Sequence, residues 1–150
     1  MDASRVSRGE AIAAAGGLVL LVSMFLPWYG GELTGAIAPV DTTTGWEVFT
    51  GVLDILIVAL AATPIAIAIG RATDRLPPLP FDQGAMVLGA GALLCFIVVI
   101  RLVDSPIETP VPLPNVDVDS ARKVGAFVAL AAAAAVAYGG YLQRTVTRTA

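Results

Sequence analysis

Four long apolar segments alternate with polar, turn-forming connectors along the chain. They are Ala11–Tyr29, Phe49–Gly70, Gly84–Val103 and Val124–Leu142. Each holds about 20 residues, enough at about 1.5 Å per residue to cross a hydrocarbon core of ~30 Å. Backbone N–H and C=O groups cannot go unpaired in lipid, so such segments are predicted to be helices. The connector Gly30–Val48 carries Gly30-Gly31, Pro39 and Thr42-Thr43-Thr44. Within it, Glu32–Ile37 and Gly45–Val48 are placed to pair as a short hairpin. The connector Arg71–Gln83 contains Leu76-Pro77-Pro78-Leu79-Pro80, and Asp104–Lys123 contains Pro106, Pro110, Pro112 and Pro114. Proline fixes φ and removes a donor, so both stretches are expected to be extended and stiff. Ser120 reads as the N-cap of the fourth helix.

Composition makes the setting a membrane. Hydrophobic residues are 57% and charged residues 14%, against roughly 45–50% and about 25% in soluble domains. A mean hydropathy of +0.82 leaves too little polar surface to cover a soluble fold of 150 residues. The expected fold is all-α: one four-transmembrane-helix bundle over residues 1–150, multi-pass in the cytoplasmic membrane. Arginine outnumbers lysine eight to one beside abundant Ala, Gly and Val, a bias expected of a GC-rich bacterial genome.

Basic residues set the expected orientation. Arg5 and Arg8, Arg71 and Arg75, and Arg144 and Arg148 lie at the N-terminus, the middle connector and the C-terminus. The other two connectors carry Glu32, Asp41, Glu47, Asp104, Glu108, Asp117 and Asp119, with Arg101, Arg122 and Lys123 only at the span ends. The positive-inside rule then places both termini in the cytoplasm. The first segment leaves through Phe25-Leu26-Pro27-Trp28-Tyr29, bulky where a signal peptidase requires small residues, so it is expected to be retained.

Chemistry is sparse. The chain has no histidine and a single cysteine, Cys95. That excludes His-held metals, Ser-His or Cys-His nucleophiles and an intrachain disulfide. No phosphate-cradling glycine loop is present. The acids Asp117 and Asp119 lack the ordered oxygen ligands of a calcium loop. The expectation is therefore no enzyme activity, no cofactor, no metal and no nucleic acid.

The sharpest feature is Asp54, about five residues inside the second segment, where a carboxylate costs a few kcal/mol unless paired, hydrated or protonated. Arg101 lies near the matching end of the third segment, and the two are expected to form an intramembrane ion pair. Such a pair either fixes helix register or serves a proton or ion relay, and Arg101 alone can instead snorkel to headgroups. Trp28, Tyr29, Trp46 and Phe49, with Phe25, gather at one boundary, and Tyr138 and Tyr141 at the other, as interfacial anchors. Packing of Trp28 on Trp46 is a second arrangement. Small residues on the first, third and fourth segments predict close helix packing within the bundle, or a self-association face. Pro64 predicts a kink. Cys95 is read as packing.

Phe25–Gly30 (FLPWYG), then Gly45–Phe49 (GWEVF) and an acid at Asp54, resembles small four-span membrane proteins of high-GC bacteria, over less than half the chain. The layout, with a long first outer loop and a short inner loop, is also similar to claudin-type tetraspans, without their outer-loop cysteine pair. Small multidrug transporters share the span number but carry an acid well inside the first span; here Glu10 stands at its edge. The expected function is that of a small structural or accessory membrane protein, acting through helix packing and its outer loops on another membrane protein or on a second copy. The alternatives are a small transporter or channel subunit using Asp54, Arg101 and Pro64, and a sensor using the outer loops.

Overall fold

A computed structural model describes residues 6–33, 42–49, 51–75, 82–103 and 118–148. The element order is α1 (Arg8–Ser23), β1 (Pro27–Leu33), β2 (Thr43–Thr44), α2 (Gly45–Val48), α3 (Val52–Ala72), α4 (Gln83–Val103), β3 (Val118–Arg122) and α5 (Val124–Arg148). Thr34–Ile37 of the expected hairpin, Asp41, Asp104, Glu108, Asp117 and the two proline-rich stretches 76–80 and 106–114 lie outside the described residues.

The four long helices run alternately up and down. Helix α5 packs on α1 and α4, α3 packs on α1, and the α3–α4 seam is the loosest of the four. Alanine explains the central place of α5: a Cβ is the largest group its tight contacts admit. Buried residues make up 44% of its span against 22% for α3 and 28% for α4. Glycines bring backbones together where even a Cβ fails. A Cβ on Gly16 would lie 2.8 Å from the Ala132 carbonyl oxygen, and one on Gly139 2.7 Å from the Ala13 nitrogen. The small residues thus serve packing within the bundle. Pro64 is buried mid-way along α3, its Cγ 3.3 Å from where a Gly17 Cβ would be. Losing the Pro64 N–H leaves the Leu60 carbonyl without its helical donor.

Exposed large apolar side chains occur on all four long helices, among them Leu18, Val22, Ile55, Ile69, Leu93, Phe96 and Phe127. Contiguous apolar surface on this scale is what lipid covers. Three helices are long and apolar enough to cross a membrane: Val52–Ala72, Gln83–Val103 and Val124–Thr145. They point to a multi-pass membrane protein. Helix α1 has 16 residues, roughly 24 Å at 1.5 Å per residue, and is shorter than the 11–29 segment predicted.

The reason α1 stops early is local. Pro27 has no N–H to continue a helix and disfavours helical backbone at Leu26. The Trp28 indole N–H donates to the Ser23 carbonyl at 2.8 Å, a second donor beside the Leu26 N–H at 3.1 Å for an acceptor at the helix end. The chain continues from there as β1.

The connectors form a sheet that an all-α reading misses. Its order is β2-β1-β3, antiparallel throughout, with Pro27 opposite Thr44 and Tyr29 opposite both Thr43 and Arg122. The predicted hairpin is therefore shifted: β1 begins at Pro27, its first-loop partner is Thr43–Thr44, and Gly45–Val48 is a short helix. Ser120 is a strand residue opposite Gly31 and not a helix cap. The bundle thus has a sheet end and a terminal end.

At the end of α3 the chain reverses through a Schellman turn. The Arg75 N–H donates to the Gly70 carbonyl at 3.0 Å and the Asp74 N–H to the Arg71 carbonyl at 3.3 Å. Asp74 holds φ 57° there, a conformation glycine adopts at no steric cost. Asp74→Gly is expected to stabilise by about 0.5–1 kcal/mol, seen as a higher thermal midpoint in detergent.

Candidate functional site

Both ends of the bundle gather polar and aromatic side chains, and the two ends differ in kind. At the sheet end, Trp28 and Tyr29 on β1 and Phe49 after α2 point inward and are fully buried. Trp28 and Phe49 meet edge to face, their centroids 5.2 Å apart. Gly45 and Gly125 make room for the indole: a Cβ would lie 2.9 Å from Trp28 Nε1 and 2.7 Å from Trp28 Cδ1, respectively. The Tyr29 hydroxyl donates to the Arg101 carbonyl. Arg122 Nε donates to the Leu102 carbonyl at 2.7 Å, and the Lys123 N–H to the Trp28 carbonyl at 2.8 Å. Open carbonyls in the last turn of α4 are thereby taken up by the sheet, which locks sheet to bundle.

This revises the expected anchors. Trp28, Tyr29 and Phe49 are core residues and do not face outward: Trp28 and Tyr29 bury ring and polar tip together, each tip with a partner, and Phe49 packs against the indole. Trp46 pairs edge to face with Phe25 at 5.6 Å, not with Trp28. Phe25, Trp46, Tyr138 and Tyr141 are exposed, in positions open to an interface.

Asp54 and Arg101 both come to the sheet end, each the third residue from its helix terminus, Asp54 at the start of α3 and Arg101 at the end of α4. Among the described residues no ion pair joins them. The Arg101 guanidinium lies over the Phe49 ring, 5.4 Å from its centroid, which draws it away from a carboxylate. Asp54 keeps a buried Oδ1 with no hydrogen-bond partner. It sits in the first turn of α3, where the helix dipole favours a negative charge.

On the exposed rim, Thr44 donates to the Glu47 carboxylate through its backbone N–H at 2.7 Å and its hydroxyl at 3.0 Å. These bonds, the backbone one foremost, hold the Glu47 carboxyl below the ordinary glutamate range. The folded value being lowered, this stabilisation is complete above the ordinary value and is lost as pH falls through the folded one. Acidification through that window is expected to loosen α2. Trp46 fluorescence in a Trp28→Phe background reads it, and Glu47→Gln removes the pH dependence.

The terminal end holds an ion pair that sequence reasoning missed. Glu10 on α1 is buried, with 4% of its surface exposed, yet its Oε1 lies 3.0 Å from Arg71 Nε on α3. Its Oε2 accepts from the Ser7 N–H at 2.8 Å, and the Ser7 hydroxyl accepts from the Glu10 N–H at 3.2 Å, a capping box. Arg71 Nη2 donates on to Gln83 Oε1 of α4 at 2.8 Å. Asp82, just ahead of α4, faces Arg144 of α5 at 3.4 Å. The Ser-x-x-Glu spacing at Ser7–Glu10 is legible in sequence; Arg71 as its partner is not, because 61 positions separate them in the chain. Removing Arg71 leaves the buried Glu10 charge uncompensated, whereas Glu10→Gln leaves a half-exposed arginine in water. Arg71→Met is therefore expected to cost about 2 kcal/mol and Glu10→Gln about 1 kcal/mol, compared by thermal melts in detergent.

Among the described residues no three His, Cys, Asp or Glu side chains come together as a metal site. Comparison with known proteins finds no matching family model, no similar curated protein and no similar solved structure.

Proposed function

We propose that this chain is a small non-enzymatic accessory protein of a bacterial cell membrane, acting on another membrane protein or on a second copy through its sheet end. In this reading α1 is a fourth span, both termini are cytoplasmic and the sheet lies outside. Arg8, Arg71, Arg75 and Arg144 at the terminal end support that orientation. The observation that carries the function is the locking of both connectors into one sheet bonded to the α4 carbonyls, above a tightly packed interior. Among the described residues only Glu10 and Ser23 are buried polar side chains. A sheet held so firmly presents Phe25 and Trp46 on a rigid base, which lowers the entropy lost on docking.

The test is affinity recovery from native membranes in mild detergent, with partners identified by mass spectrometry. Wild type is expected to bring down a stoichiometric partner or a second copy, and Trp46→Ser with Phe25→Ser to lose it. A solitary protein in both cases overturns the reading.

A small transporter or channel subunit is the second reading, favoured by the unpartnered Asp54 Oδ1. It expects Asp54→Asn to abolish flux in proteoliposomes while the protein still folds. The accessory reading expects no flux to lose.

A further inference from the structure

At the β2 edge of the sheet one cross-strand pair gathers two rings and a carboxylate. Pro27 of β1 stands opposite Thr44 of β2. Phe25 lies two residues before Pro27 and Trp46 two residues after Thr44, and their rings meet beside that pair, edge to face at 5.6 Å. Gly45 sets the approach. A Cβ there would lie 2.8 Å from the Met24 Cα, so α2 rests backbone to backbone against the residue before Phe25. The Glu47 carboxylate folds back to the same place, its Oε2 held by the Thr44 N–H and hydroxyl. Thr44 and Trp46 are two residues apart, about 7 Å of backbone at most. Rings and carboxylate therefore lie within reach of one long side chain. Phe25, Trp46 and Glu47 are all exposed, and β2 is an edge strand.

The charge here is unanswered. The bonds from Thr44 hold the Glu47 carboxyl below the ordinary range and keep it ionised at neutral pH. Among the described residues none donates to its Oε1, and the ion pairs join other residues. The connector Gly30–Val48 adds Glu32 and Asp41 and contains no Lys or Arg.

We propose that this rim docks a basic segment of a partner protein, with an arginine laid on the Phe25–Trp46 pair and its guanidinium on Glu47 Oε1. A guanidinium is planar, lies on aromatic faces and donates N–H groups to a carboxylate at the same time. Opposite charge across an interface steers the encounter and fixes its register. A second copy fits less well. It brings the same acids, and the arginines at its sheet end are engaged, Arg101 over the Phe49 ring and Arg122 on the Leu102 carbonyl. An anionic headgroup meets those acids too. This inference rests on the accessory reading and narrows it to a partner of basic chemistry.

Nuclear magnetic resonance of the full chain in a maltoside detergent tests it. The chain has two tryptophans, so two indole N–H signals. Trp46 reports on the rim, and Trp28, bonded to the Ser23 carbonyl in the core, is the internal control. The probe is a capped pentapeptide alternating glycine and arginine, beside the same peptide with citrulline, which keeps the shape and loses the charge. The arginine peptide is expected to move the Trp46 signal saturably and leave Trp28 in place. The citrulline peptide is expected to bind about tenfold more weakly, because it loses both the ring and the carboxylate attraction. Glu47→Gln and Phe25→Leu are each expected to weaken the arginine peptide about threefold. Equal affinity for the two peptides overturns the proposal, as does a Trp46 signal that stays put or moves together with Trp28. Unchanged arginine-peptide binding in Glu47→Gln also overturns it. If that variant disturbs α2, seen as a displaced Trp46 signal before peptide is added, the two peptides on wild type still decide. Quenching of Trp46 by nitroxide-labelled lipid in nanodiscs, with no response to peptide, assigns the rim to the bilayer and overturns the proposal. Partner recovery separates the two readings. A second copy, or a partner undiminished by Glu47→Gln, overturns this inference and leaves the accessory reading standing. Peptide binding with no partner recovered overturns the accessory reading alone.

Discussion

Gly91→Val is expected to separate α4 from α5 and to leave no monodisperse bundle in detergent. A Cβ on Gly91 would fall on the Ala137 backbone nitrogen and 2.5 Å from the Ala137 Cα. Backbone, unlike the tip of a flexible side chain, has nowhere to go. The reciprocal contact is as close: a Cβ on Gly140 of α5 would fall on the Leu88 nitrogen and 2.7 Å from its Cα. One valine therefore forces apart the closest-packed seam of the molecule. Overpacking on this scale costs about 3 kcal/mol, a large part of the 5–15 kcal/mol that typically holds a domain together. The expected readout is a broadened or aggregated size-exclusion profile and a large fall in thermal midpoint. Gly89, two residues away, provides the control. It is exposed, and a Cβ there meets nothing within 4 Å. Gly89→Val is expected to leave the profile unchanged and stability within about 0.5 kcal/mol. Equal damage at both sites would show that glycine serves helix flexibility and not close approach.

Trp28→Ala is the second large effect, about 3–5 kcal/mol, because it empties the most crowded part of the sheet end. The indole is 1% exposed, meets Phe49 edge to face, and occupies the space that Gly45 and Gly125 leave open. Its N–H also bonds the Ser23 carbonyl, which ends α1. Trp28→Phe separates ring from hydrogen bond. The Ser23 carbonyl keeps the Leu26 N–H at 3.1 Å, so the loss is expected to be smaller, about 1–2 kcal/mol. Trp46→Ala, at a side chain 37% exposed, is expected to cost less than either. Denaturation in detergent followed by far-ultraviolet circular dichroism orders the three. A result in which Trp46→Ala is the most damaging would contradict the burial seen here.

What was legible in the sequence were the long apolar elements, because a membrane reads composition along the chain. The second, third and fourth segments agree with α3, α4 and α5 to within a few residues at their bounds, apart from the C-terminal extension of α5 to Arg148. The first departs because Phe25, Leu26, Trp28 and Tyr29 are as apolar as a helix but follow a backbone rule set by Pro27. Hydropathy does not see that rule. The sheet escaped for a similar reason: β3 pairs with β1 across about 90 positions, and no local pattern announces so distant a partner. Asp54 and Arg101 were legible as unusual charges, and their common end followed from counting residues along two helices. That they do not pair depended on the Phe49 ring, placed by the Gly45–Val48 turn of helix.

Residue order and composition alone determined that this chain has apolar helices of spanning length joined by polar connectors, and that it has no histidine chemistry. Tertiary structure alone decided which face of each helix is buried, that the connectors close into a sheet, and that Glu10 finds Arg71. The division has a physical cause. Partition into lipid depends on what each segment is made of, whereas pairing and packing depend on which atoms arrive within about 4 Å of each other once the helices are assembled.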